Sequence, residues 1–163
     1  MRRGSVLTVT TPWVDLDKFR RDKLREALYE AELAEEFLKN GLLRNAAGKA
    51  FQAVKAYLAA AAALHKDKIV AAFKGVKRVG PKNAVEKGDW IIAVMPTSRM
   101  REVAALIGDD QLRLLVELAL NLHEFQHSGV DEEYELSRYR SEELVKKDIE
   151  EVVARIRRLA SQG

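Results

Sequence analysis

Leu122-His123-Glu124-Phe125-Gln126-His127-Ser128-Gly129 admits two incompatible readings, and the choice between them decides the fold. Taken alone, His123-Glu124-x-x-His127 spells the zinc-metallopeptidase signature. Two histidines one turn apart on a helix can share a metal, and Glu124 would act as general base on bound water. Taken with what precedes it, the stretch ends a packing helix, because Leu112, Leu115, Val116, Ala119, Leu122 and Phe125 form a stripe of helical period. Ser128-Gly129 then stops the helix. A catalytic zinc needs a third protein ligand. His65 has no sequence relation to the pair, and the extended pattern with a Gly and a third His is missing after His127. Glu132, Glu135, Glu142 and Glu143 are alternatives among which nothing selects. Peptidases of this type also lay substrate along a sheet edge, and this chain offers at most one strand. The helical reading is adopted, with His123 and His127 kept as the metal candidates of an alternative zinc hydrolase.

Working outward, the rest of the chain repeats the helical pattern. A first helix starts near residues 13–17, where Pro12, Asp15 and Asp17 suit a helix start. Leu24, Ala27, Leu28, Ala31, Ala34 and Leu38 carry its apolar stripe, and Asn40-Gly41 closes it. A second helix spans about 42–64 and is so rich in alanine that neighbouring backbones can approach on several sides, as expected of the central helix of a bundle. A short third helix is expected over 97–107, capped by Thr97 or Ser98. A fourth covers 110–126. A fifth begins at Ser141 and carries Val145, Ile149, Val152, Val153, Ile156 and Leu159. Between the second and third helices, residues 75–96 read as an irregular insert broken by Gly75, Gly80, Pro81 and Gly88. Within it, residues 90–94 fit a strand or a helical turn equally well. The basic run over 74–87 lacks interleaved aromatics, which favours a mobile, solvated loop over nucleic-acid binding.

The 163 residues point to one domain, with residues 1–12 as a tail. A chain of this size buries enough surface to fold without disulfide or metal. It has no cysteine, which removes disulfides, thiolate metal sites and a cysteine nucleophile together. Net charge is +3 and the isoelectric point is near 9.1, but basic and acidic residues are interspersed along the helices, as on an ion-paired surface. The apolar runs fall short of the roughly 20 residues of a membrane span. No secretory signal is visible, so the expected location is the cytoplasm, away from membranes.

The second helix holds one polar face. Arg44, Asn45, Lys49 and Gln52 fall three or four residues apart among alanines. As a functional set they would line a groove for phosphate or another ligand, with Arg44 near a helix start. As a structural set they would cap the helix and bridge to acids on the first helix such as Glu35 or Glu36. His123 joins them as a fifth candidate ligand residue.

Several segments together resemble the archaeal PaREP family. They are Pro12-Trp13, the block Ala31-Glu32-Leu33-Ala34-Glu35-Glu36-Phe37-Leu38, the run from Asn40-Gly41 through Arg44-Asn45-Ala46-Ala47-Gly48-Lys49-Ala50-Phe51-Gln52-Ala53, then Leu122-His123-Glu124-Phe125-Gln126, Gly129 and Tyr139-Arg140-Ser141. In the family's pattern the position of His127 is more usually tyrosine, which makes the two-histidine signature an accident of one substitution. The resemblance, with that of the family to HEPN-like bundles, implies an all-α, up-and-down bundle of four or five helices and a homodimer. It implies no known activity and no cofactor. Partners implied by it are a nucleic acid, a nucleotide or another protein, since HEPN-like domains often act beside nucleotidyltransferase-like proteins. Many HEPN relatives are ribonucleases with an Arg, a polar residue and a His four to six residues on. No Arg stands five to seven residues before His65, His123 or His127. The expected function is therefore a non-enzymatic binding module, with a divergent ribonuclease and a zinc hydrolase as alternatives.

Overall fold

The computed structural model describes residues 10–131, 133 and 138–162. Residues 1–9 of the tail, and Glu132, Tyr134 and Glu135 of the connector, lie outside the described residues. The elements in chain order are α1 (Leu16–Lys39), α2 (Leu43–Leu64), α3 (Lys66–Ala72), β1 (Val76–Arg78), β2 (Ala84–Glu86), α4 (Lys87–Val94), α5 (Met100–Ile107), α6 (Asp110–Ser128) and α7 (Glu142–Ala160). The fold is an all-α helical bundle with one small two-stranded sheet.

Helix α2 is the hub. It packs along α1 over most of its length and also touches α4, α5, α6 and α7, while α7 closes back on α1. Its alanines make this possible: Ala46, Ala47, Ala50, Ala53, Ala59 and Ala62 are all buried. Small side chains let several helices approach one axis, and Phe51, Leu58, Leu115, Leu122, Ile149 and Ile156 fill the space between them.

The bundle's helix ends follow local chemistry. The Asp15 carboxylate accepts the Lys18 amide at 3.0 Å, Asp109 accepts from Gln111 and Leu112, and the Ser141 hydroxyl accepts from Leu144. At the end of α1, Gly41 adopts φ +73° and the Leu42 and Gly41 amides donate back to Phe37 and Leu38. That left-handed closure turns the chain within three residues and lays α2 against α1. The start of α7 is held from the connector by Tyr139, buried edge-on against Phe125, whose hydroxyl donates to Asp148 at 2.7 Å.

Two expectations are corrected. Residues 75–96 are not irregular: β1 and β2 form an antiparallel hairpin with Lys77 opposite Val85, and residues 87–94 are helix α4. Residues 90–94 become helical because Gly88, Ile91, Ile92 and Met95 recur at helical spacing and are all buried. The helix stops at Met95, which is left-handed, just before Pro96. Neither Thr97 nor Ser98 caps α5. Residues 97–99 form a 3-10 turn in which the Pro96 carbonyl accepts the Arg99 amide, and α5 begins at Met100. The backbone takes the role expected of a hydroxyl.

Among the described residues, no helix is long and apolar enough to cross a membrane.

Candidate functional site

Arg44, Asn45, Lys49 and Gln52 project from an incompletely covered face of α2, and they line a common groove. Its volume is about 590 Å³, and its remaining walls are Glu30 and Phe37 of α1, Gly48 of α2 and Gln126 of α6. An adjoining hollow of about 410 Å³ at the start of α2 shares Arg44 and Asn45 and includes Gly129 and Glu142.

Three local features shape the groove. First, Gln126 lies flat on the backbone of α2 because position 48 has no side chain. A Cβ there would stand 2.6 Å from the Gln126 Nε2. Second, Lys49 Nζ stands 3.3 Å from Glu30 Oε2, a buried oxygen that accepts no hydrogen bond among the described residues. The pair is held by charge more than by directed hydrogen bonding. Third, the Arg44 guanidinium rests over Gly129, which has φ +73° and room for no Cβ beside that side chain. Arg44 is exposed and makes no ion pair among the described residues. The first turn of α2 has no acidic residue, and its cap residue, Leu42, has no side chain able to accept the free amides.

The structural alternative for these residues is corrected in its partners. Glu35 pairs with Arg157 of α7 at 2.7 Å and with Lys39, so it ties α1 to α7 and does not reach the polar face of α2. The hydrogen bond from Arg157 holds the Glu35 carboxyl below its ordinary pKa. Glu30 is the acid that faces Lys49.

His123 is not among the residues lining the groove. Its ring stacks on Phe51 with centroids 4.3 Å apart and meets His127 edge-on at 4.9 Å. Its Nδ1 is buried and has no hydrogen-bond partner among the described residues. Burial lowers its pKa, and the neighbouring His127 and Lys55 charges act in the same direction. Both effects favour the neutral imidazole. Glu124 is turned to the connector, where it accepts the Arg138 amide at 3.2 Å and faces the Arg138 guanidinium at 3.5 Å. Arg138 also donates to Asn121. Among the described residues no three His, Asp or Glu side chains converge as metal ligands. His65 caps the end of α2, remote in the chain from the other two histidines.

Gln126, Gly48 and Glu30 were not selected from the sequence. A signal for one of them existed: an isolated glycine inside an alanine-rich helix costs about 1 kcal/mol and so asks for a packing reason. Gln126 even lay inside the motif under discussion, three residues after His123 and hence on an adjacent part of the same face.

The groove offers a guanidinium with its donors unspent, three carboxamides that both donate and accept, and a carboxylate already opposite an ammonium. A comparison with curated proteins and one with solved structures each found no match. The sequence model described as the Archaeal PaREP1/PaREP8 family matches residues 22–150, and the chain belongs to that family.

Proposed function

We propose that this protein is a non-enzymatic, HEPN-like helical module, dimeric and cytoplasmic, that binds a nucleotide or a nucleic-acid end in the groove on α2. The observation that supports this reading best is the convergence of Arg44 with the carboxamides of Asn45, Gln52 and Gln126 around Gly48. A guanidinium without an acid partner suits a phosphate, which it can grip through two parallel hydrogen bonds. Asn and Gln present a donor and an acceptor side by side, the pattern that matches a base edge. The uncapped amides at the start of α2 add a positive dipole end beside Arg44. The dimeric state and the HEPN-like relationship rest on the family resemblance.

The test is calorimetric titration of the untagged protein with ATP, GTP and a short single-stranded RNA, with light scattering for the mass in solution. Binding is expected to weaken about tenfold or more in Arg44→Ala, the scale of losing one charge-assisted hydrogen-bonding group. Equal binding by wild type and Arg44→Ala would remove the groove from consideration. RNA cleavage that disappears in His123→Ala would replace this reading with the ribonuclease.

A further inference from the structure

The hairpin β1–β2 is the one extended element of the described chain, and its charge is unlike that of the helices. Residues 74–87 hold Lys74, Lys77, Arg78, Lys82 and Lys87 against a single acid, Glu86. Many cations on the helices are matched: Lys18 with Asp22, Arg101 with Glu117, Arg155 with Glu151, Arg157 with Glu35. Among the described residues no ion pair involves any of the five hairpin cations. Asp89, the nearest acid in the chain after Glu86, is buried against Lys66.

The hairpin is also built to stand in a fixed pose. Its ladder runs from Gly75 and Lys87, joined by a 2.9 Å hydrogen bond, to Val79 and Asn83, joined by one of 3.0 Å. That makes a ribbon about 14 Å long. At its base Gly88 sits against the backbone of Val70, and the Lys77 ammonium lies 4.5 Å from the centre of the Trp90 ring. At its tip the Arg78 guanidinium donates to the Pro81 carbonyl at 2.6 Å, which closes the turn and leaves its charge outside. Pairing in the ribbon puts Lys77 and Val85 on the face towards α4, and Val76, Arg78, Ala84 and the one acid, Glu86, on the other. Val76 is 73% exposed on that outer face.

We infer that this ribbon is an arm that enters the major groove of double-stranded DNA. A two-stranded ribbon with its side chains is about as wide as that groove, which spans roughly 12 Å. Duplex DNA presents one negative charge per about 1.7 Å, dense enough to engage Lys74, Arg78 and Lys82 together. The small outer residues Val76 and Ala84 leave space for base edges and thymine methyl groups. A membrane fits less well, because the tip, Gly80-Pro81-Lys82-Asn83, has no large apolar or aromatic side chain to insert. The inference is independent of the groove on α2.

The experiment is fluorescence anisotropy of the full chain with a labelled duplex of about 20 base pairs, across roughly 50 to 200 mM salt. Wild type is compared with Lys74→Ala/Arg78→Ala/Lys82→Ala and with the charge-preserving Arg78→Lys/Lys82→Arg. Near roughly 0.1 M salt each lost phosphate contact weakens binding about eightfold, and the slope of log affinity against log salt falls by about 2 to 3 in the triple variant. The charge-preserving variant is expected to keep the wild-type slope. Unchanged duplex binding by the triple variant overturns the inference, as does the absence of duplex binding by wild type. Stronger binding to an RNA duplex, whose major groove is too narrow for a ribbon, would overturn the groove insertion. Sedimentation of wild type, but not the triple variant, with phosphatidylglycerol vesicles and without DNA binding would assign the arm to membranes instead.

Discussion

Gly48→Ala and Gly88→Ala make the same chemical change in two helices, and the structure predicts opposite results. In an exposed helix either change would be favourable by about 0.5–1 kcal/mol, since alanine loses less backbone freedom on folding. At position 88 the added Cβ would stand 2.6 Å from the Cα and 2.8 Å from the amide nitrogen of Val70. Those are main-chain atoms of α3, and α3 is pinned by Ile69, fully buried, and by Phe73 after it. The helices must separate by several tenths of an ångström, which costs about 1–3 kcal/mol as overpacking. Because Gly88 lies in the first turn of α4, the helix-propensity gain is small. The net loss is about 1–2 kcal/mol, a fall of about 2–8 °C in melting temperature for a chain of this size. At position 48 the obstacle is the amide of Gln126, the far end of a flexible side chain. It can swing away, so Gly48→Ala is expected to melt level with wild type or up to about 4 °C higher. The same swing takes a carboxamide out of the groove, so nucleotide affinity should fall although stability does not. Thermal melting and urea titration at one fixed protein concentration separate the two cases. Gly88→Ala melting level with wild type, or Gly48→Ala falling as far as Gly88→Ala, would refute the reasoning.

Two further outcomes follow from the histidine pair. His123 has a folded pKa below its ordinary 6.5, so as pH falls below 6.5 the unfolded chain takes up the proton first and stability is lost until the folded pKa is passed. His123→Phe, which keeps the stack on Phe51, should show a shallower loss on acidification by urea titration at each pH; parallel curves would mean the ring is not the group responsible. Protein purified without a histidine tag should carry no stoichiometric zinc by elemental analysis, and His127→Tyr should leave that result unchanged. One zinc per chain in wild type, absent from His127→Tyr, would restore the hydrolase reading of His123, Glu124 and His127.

The long helices were legible because each carries its own periodic evidence. Leu112 through Phe125 and Val145 through Ile156 bury the predicted stripes, and Asn40-Gly41 and Ser141 act where expected. The hairpin was not legible, since strands of three residues are too short to show alternation and its glycines read as breaks. Helix α4 was hidden by the same habit: with Gly88 counted as part of the stripe, Gly88, Ile91, Ile92 and Met95 give the helical spacing. The polar face of α2 was visible from Arg44, Asn45, Lys49 and Gln52. Its partners were not, because the choice between Glu30 and Glu35 depends on how α1 and α7 lie around α2.

By itself, then, the sequence determined the long helices, most of their ends and the alanine-rich hub, because hydrophobic period, capping and small-residue content act within a few turns of chain. Only the tertiary structure decided that Gln126 lies on Gly48, that Lys49 faces Glu30 and that His123 stacks on Phe51 away from the groove. Each of these joins residues far apart in the chain, and their distances are set by how closely helices and strands pack, a quantity that no local pattern contains.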